Sequence, residues 1–279
     1  MILHAFSYPF MWWALAASLV LAGIHAYLGF HVITRGVIFV DLSLAQMAAL
    51  GVAVAIILNL HDHPVAGYLL PVGMTLTGAI VFAWLRHFER RVPLEAFIGI
   101  VFATAQACVL LLLEHTASGT EHLKETLVGT IFTVSPDVVI RTAVIYAIIG
   151  GLHFVLRKPL FEITNDPEAA RRKGRKIFWW DVFFYGSFGV VVTSSVKIAG
   201  VLLVFGLLVI PSAAGVLASS RTSVRLLIGW IFALVGSAIG LIAAFALNLA
   251  AAPAILATLT LTLVLHGVVI SIMRRYSAT

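Results

Sequence analysis

The stretch IAGVLLVFGLLVIPSAAGVLASS, residues 198–220, carries no charged side chain between Lys197 and Arg221. A helix needs about 20 apolar residues to cross the ~30 Å hydrocarbon layer of a bilayer, and this stretch supplies them. It lacks the alternating segments of about 10 residues that mark a transmembrane barrel strand. Lipid offers no partner to an unpaired backbone amide, so a continuous apolar run of this length reads as helix. The same signature recurs at 10–33, 37–60, 65–86, 94–114, 137–156, 179–196, 224–247 and 252–272, with 198–219 as the seventh run in order. That predicts an all-α integral membrane protein, a polytopic bundle of eight or nine transmembrane helices. The turn between 179–196 and 198–219 is nearly absent, so those two runs read either as separate spans or as one bent element.

Composition agrees. Of 279 residues, 61% are hydrophobic and 11% charged, and the mean hydropathy is +1.07. A soluble domain is nearer a quarter charged. Nine spans take roughly 180 residues, which leaves loops and ends but no second folded domain. One transmembrane domain is therefore expected over 1–279. Cys108 is the single cysteine, so an intrachain disulfide and thiolate metal clusters are excluded. The net charge of +6 does not indicate nucleic acid, because the basic residues sit in short loops without interleaved aromatics. Residues 1–9 hold no Lys or Arg and the first apolar run is long for a signal core, so 10–33 reads as a retained helix despite the cleavage-like Ala14, Leu15 and Ala16.

Basic residues concentrate in cytoplasmic loops of membrane proteins. With the 33–37 turn placed inside, the inner loops hold Arg35; Arg86, Arg90 and Arg91; Arg157, Lys158, Arg171, Arg172, Lys173, Arg175 and Lys176; Arg221 and Arg225; Arg274 and Arg275. Only Lys124, Arg141 and Lys197 fall outside, so fifteen of eighteen share one side. This predicts an external N-terminus and a cytoplasmic C-terminus.

Two loops are long. The external one, about 115–136, includes a candidate interfacial helix over 123–134. The internal one, about 157–178, has the grammar of a short helix. Asn165 or Asp166 can cap it, and Pro167 suits a first turn whose amide is unpaired anyway. Glu168 lies near the positive end, Arg171 to Lys173 near the negative end, and Gly174 marks the stop. The residues admit two readings: a positive-inside loop that is helical, or an element that receives motion from an ATPase. No Gly-Lys pair occurs in the chain, so the phosphate-cradling P-loop is absent and ATP-driven transport requires a separate subunit.

Three segments then carry a resemblance. They are RGVIFVDLSLAQMAALG (35–51), NDPEAARRKG (165–174) with Trp180 and Asp181 following, and KIAGVLLVFGLLVIPSAA (197–214). Together they resemble the zinc/manganese/iron ABC permease family, the membrane subunits of bacterial metal uptake systems. The resemblance implies a homodimeric helical permease in the bacterial plasma membrane. It also implies two copies of a cytoplasmic ATP-binding subunit docked on the helix formed by Asp166, Pro167, Glu168, Ala169, Ala170, Arg171 and Gly174, and an extracytoplasmic metal-binding protein. No cofactor is expected on the chain itself, and the divalent ion is its cargo.

The sequence departs from that family at one place. Zinc and manganese members carry an Asp followed four residues later by a His in the second span, where the two share a helix face. Here Ala45 follows Asp41 at that distance. An ungapped alignment from Gly51 puts Gln46 at the His and Leu42 at the Asp. Asp41 therefore corresponds only with a one-residue slip, and Gln46 is the companion candidate. A carboxylate in lipid usually faces a pathway or a partner. Asp41 has both readings: a cation pathway, or a helix-end carboxylate pairing with Arg35.

Remaining motifs read as structure first. Pro211 interrupts the backbone ladder of its run and forms a kink or, alternatively, frees carbonyls toward a channel. Gly236 and Gly240 form a GxxxG face for close helix approach. His25, His153 and His266 read as packed span residues. His61, Asp62 and His63, with Glu114, His115, Glu121 and His122, lie in external loops and have metal-ligand chemistry. The expected function is a permease of an ATP-driven importer of zinc, manganese or iron. The alternatives are a permease for a metal chelate or vitamin, and an intramembrane metalloenzyme.

Overall fold

The computed structural model describes residues 7–60, 63, 65–89, 91–114 and 129–276. The helices in chain order are α1 (Pro9–Arg35), α2 (Val40–Ile57), α3 (Ala66–Leu85), α4 (Leu94–Leu113), α5 (Pro136–Val155), α6 (Arg157–Asn165), α7 (Pro167–Arg172), α8 (Ile177–Ala218), α9 (Thr222–Ala246) and α10 (Ala251–Tyr276). A 3-10 turn, Arg86–Phe88, prolongs α3, and another, Ile131–Thr133, precedes α5. The interfacial helix expected over 123–134 lies outside the described residues as far as 128.

Among the described residues eight helices are long and apolar enough to cross a membrane. The longest, α8, has 42 residues, which at 1.5 Å per residue is about 63 Å, roughly twice the hydrocarbon thickness. It is two helices meeting at Gly200, whose φ of 71° and ψ of 160° leave the helical region. A residue with a Cβ resists positive φ, so glycine is the residue that permits this joint. The sixth and seventh apolar runs are thus joined without a loop. The break falls at Gly200, while Pro211 lies within helical geometry.

The chain gathers into two compact units, each built from non-contiguous pieces. One comprises Met1–Ile33, Val128–Tyr146 and Ile198–Thr279; the other comprises Thr34–Leu127 and Ala147–Lys197. In the first unit α9 packs on α10. A Cβ on Gly240 would fall 2.5 Å from Ile255 Cα, and one on Gly236 would overlap the Leu259 side chain, so the GxxxG face seats the last helix. Ser212 Oγ donates to the Ala26 carbonyl at 3.3 Å and Trp230 Nε1 to that of Gly23 at 2.9 Å, tying α8 and α9 to α1. Leu21, Leu28, Leu207, Leu208, Leu241 and Ile255 are fully buried there.

In the second unit α2 lies along α3 and α4. Gly51 allows the α2 and α3 backbones to meet, since a Cβ there would sit 2.5 Å from Pro71 Cα. The hydroxyls of Thr75 and Thr193 meet at 3.0 Å inside the unit and link α3 to α8. The core is Leu44, Phe82, Ile98, Phe184, Tyr185 and Phe188. The outward faces remain apolar: Ile140, Val144, Ile148 and Leu152 on α5, and Leu261, Val264, Leu265 and Val268 on α10. Four-residue spacing lines these side chains up as an exposed apolar stripe, which water would penalise and hydrocarbon accepts.

Candidate functional site

The long loop that the charge distribution placed inside folds as two short helices in the second unit. Asp166 caps α7, its Oδ1 accepting from the Ala169 amide at 2.8 Å. Pro167 opens the helix, where a missing N–H costs nothing. Gly174, at φ +80°, ends it. The Gly174 amide donates to the Arg171 carbonyl at 2.9 Å and the Arg175 amide to that of Ala170 at 3.1 Å, which satisfies carbonyls the helix end leaves open. Glu168 and Arg171 pair at 3.5 Å on the exposed face. Ala170 faces inward. It shares a buried cluster with Ile163 of α6 and Ile177 of α8, closed over by Trp180. Glu162 adds an outer clasp, 3.1 Å from Arg175 and 3.9 Å from Lys173.

Asp41 stands in the first turn of α2 and is 1% exposed. Its carboxylate lies beside the amides of its own first turn, yet neither oxygen makes a well-formed hydrogen bond among the described residues. Ser43 Oγ, two residues on, is buried in the same condition. Glu95, in the first turn of α4, accepts from the Phe39 amide at 3.0 Å and brings a second carboxylate to the start of α2. Gln46 is buried on the same helix. Asp41 and Gln46 are five apart, about 500° around a helix, so they do not share one face.

Arg35 does not pair with Asp41. Its Nη1 lies 3.0 Å from Asp181 Oδ1, and Arg86 Nη1 reaches the same oxygen at 2.7 Å. Arg35 Nε donates to Thr164 Oγ1 at 2.9 Å, and its guanidinium carbon lies 4.0 Å from the centre of the Phe184 ring. Arg35 and Asp181 are essentially solvent-free and Arg86 is 10% exposed. The sequence reading missed this cluster. Asp181 is the last acidic residue in the chain and opens an apolar run, a position that demands a cationic partner. Which arginines supply it depends on tertiary contacts with no sequence period.

Elsewhere the polar span residues are packed. His25 Nδ1 lies 2.7 Å from the Leu21 carbonyl, His153 Nε2 2.8 Å from Ser187 Oγ, and His266 Nε2 3.3 Å from the Ala214 carbonyl. The carbonyl of Pro211 packs against Gly229. Of the loop residues with metal-ligand chemistry, His61, Asp62, His115, Glu121 and His122 lie outside the described residues. Among the described residues no three His, Cys, Asp or Glu side chains gather as a metal cluster.

A sequence profile described as the ABC 3 transport family matches residues 7–270. The chain belongs to the ABC 3 transport family. Two relatives illustrate its range. The manganese transport system membrane protein MntC of Listeria monocytogenes is 24% identical over 254 residues, covering 91% of this chain and 88% of that one. A probable iron transport system membrane protein of Haemophilus influenzae is 23% identical over 250 residues, covering 89% and 86%. In three dimensions the fold is similar to a chain of the PsaBC complex of Streptococcus pneumoniae solved with a Fab, with a TM-score of 0.80 at 21% identity over 95% of this chain and 94% of that one. The family match places this chain among transport permeases whose ATP hydrolysis resides on a separate subunit.

Proposed function

We infer that the chain is the membrane permease of an ATP-driven importer of a divalent metal ion: zinc, manganese or iron. The observation that carries the metal reading is Asp41, a buried carboxylate at the start of α2 whose oxygens make no well-formed hydrogen bond among the described residues. An unpaired buried carboxylate is costly, and a passing cation is what relieves it. A hard divalent cation takes oxygen ligands readily. Gln46, about 140° further around α2, is the second candidate, with an amide oxygen to offer a cation. The manganese and iron systems to which the chain is similar support the same cargo class.

In this reading both compact units work as one permease domain over 1–279, and two copies form a homodimer in the bacterial plasma membrane. The N-terminus is external and the C-terminus cytoplasmic, as the distribution of Lys and Arg favours. The segment 157–178 faces the cytoplasm, and Asp166, Pro167, Glu168, Ala169, Ala170, Arg171 and Gly174 form the dock for two ATP-binding subunits. An extracytoplasmic protein delivers the ion. ATP closes the two ATPases, the α7 helices follow, and the pathway opens to the other side by alternating access.

The test is uptake into proteoliposomes holding this chain with its ATPase and binding protein, comparing zinc, manganese and iron in wild type and in Asp41→Asn. Accumulation of one ion with ATP, lost in Asp41→Asn while the ATPase stays attached, supports both the cargo and the role of Asp41. If the assembled complex hydrolyses ATP and moves none of the three ions, the metal reading fails and a permease for a chelate or vitamin takes its place.

A further inference from the structure

We propose that Arg35 is a positioning residue that clamps the α6–α7 element to the membrane helices, so that movement of α7 becomes movement of the spans. The proposal rests on the reading of 166–174 as the ATPase dock. It goes beyond that reading by naming the contact through which force leaves the dock.

The geometry is specific to one guanidinium. Through Nε, Arg35 holds Thr164 at the end of α6. Through Nη1 it holds Asp181 near the start of α8. Its flat face covers Phe184, one turn further along α8. The same Asp181 oxygen holds Arg86 in the turn that prolongs α3. Four elements thus converge on the Arg35–Asp181 pair: the end of α1, the end of α3, the start of α8 and the end of α6. A planar fork with donors fixed in direction resists being pulled sideways, which a lysine ammonium does not.

Between this clamp and α7 there is little slack. Thr164 is buried and is separated from the cap Asp166 only by Asn165. Ala170 of α7 packs on Ile163 beside Thr164 and on Ile177 of α8. The clasp from Glu162 to Arg175 closes the outer side. A push on α7 therefore reaches Thr164 and the start of α8 together. Packed interiors transmit such displacements because they deform little. The second oxygen of Asp181 has no hydrogen-bond partner among the described residues. An arginine can shift to it without entering water, which gives the cluster a second arrangement of the kind that coupled elements require.

The test uses the complete transporter, this chain with its ATPase and binding protein in proteoliposomes, and manganese(II) as the probe. Three quantities are read for each variant: retention of the ATPase, ATP hydrolysis, and manganese(II) accumulated per ATP. Arg35→Gln is expected to retain the ATPase and its hydrolysis within about twofold, while manganese(II) per ATP falls about tenfold. Thr164→Val removes one hydroxyl without touching a charge, and a smaller fall, about threefold, is expected. Arg35→Lys, which keeps the charge and loses the fork, should fall between them and not restore the wild-type ratio. An unchanged ratio in both Arg35→Gln and Thr164→Val overturns the clamp. So does a parallel loss of hydrolysis and uptake at constant ratio, which is the mark of a merely structural residue. Should Arg35→Gln fail to assemble, Thr164→Val decides alone. The dock is judged separately with Arg171→Glu. If that variant keeps the ATPase at wild-type strength, the dock fails and takes the clamp with it. If it releases the ATPase while the Arg35→Gln ratio is unchanged, the clamp alone fails.

Discussion

Asp41 and Asp181 are both carboxylates buried near the start of long apolar helices in the same unit, and their surroundings are opposite. Asp181 meets two arginines on one oxygen, at 3.0 and 2.7 Å. Asp41 meets no hydrogen-bond partner of good geometry among the described residues. Removing a charge from water costs several kcal/mol, and a well-placed counter-charge with good hydrogen bonds offsets much of it. Asp181 has its compensation built in and therefore belongs to the architecture. Asp41 shows no such counter-charge among the described residues, and the proposed pathway role gives it a passing cation instead. Two residues of the same type, equally buried, are separated by their partners.

The largest effect should come from breaking the compensated site. Asp181→Ala leaves Arg35 and Arg86 facing each other with no anion, and such a change costs about 3–5 kcal/mol. Thermal unfolding in detergent should show a strongly lowered midpoint and a poor folded yield. A loss below about 1 kcal/mol would mean that the arginines reach water or another carboxylate, and the contrast with Asp41 would collapse. The comparison sharpens with the triple replacement Arg35→Met, Arg86→Met and Asp181→Leu. Removing all three charges removes their desolvation cost as well, so most of the lost stability should return. A triple variant as unstable as Asp181→Ala would show that packing, not charge, is at fault.

Asp41→Asn should move in the other direction. Losing an uncompensated charge costs the fold nothing, and the unfolding midpoint is expected to stay level or rise by an amount equivalent to about 1 kcal/mol. Uptake should be lost in the same protein. A drop in stability matching that of Asp181→Ala would reveal a hidden structural partner and end the pathway reading.

How much of this was legible beforehand follows from what each feature depends on. The spans depend on length and apolarity, which are local, so the nine apolar runs agree with the helix ends to within a few residues. The short helix 167–172 depends on a cap, a proline and a glycine in order, and these too are local. Gly200 was harder. The sequence showed that no loop separates 179–196 from 198–219, but glycine is common in apolar runs and only the backbone reveals a φ of 71°. The Arg35–Asp181–Arg86 cluster joins residues more than ninety positions apart, and no period in the chain announces it. One of the two readings of Asp41 paired it with Arg35, its near neighbour in sequence. The fold gives Arg35 to Asp181 instead, because α8 brings a carboxylate to that helix end and Thr164 supplies a second acceptor.

The smallest expected effect belongs to a third carboxylate, which is compensated by the backbone instead of by a charge. Asp166 is exposed, and its Oδ1 accepts from the Ala169 amide at 2.8 Å. Asp166→Ala removes that acceptor and should cost about 1 kcal/mol of local helix stability. Pro167 still fixes the first turn, and Ala170 still packs on Ile163 and Ile177, so the midpoint of global unfolding should hardly move. The loss should appear instead as amide exchange at Ala169 and Ala170 faster by about fivefold, the equivalent of about 1 kcal/mol. Exchange that stays at the wild-type rate would mean the buried cluster alone holds α7 in place. The cap would then be dispensable, and α7 would be joined to the rest of the unit by its apolar face and not by its termini. Slower exchange on adding the ATPase to the variant would put the partner's surface on the same turn, as the dock requires.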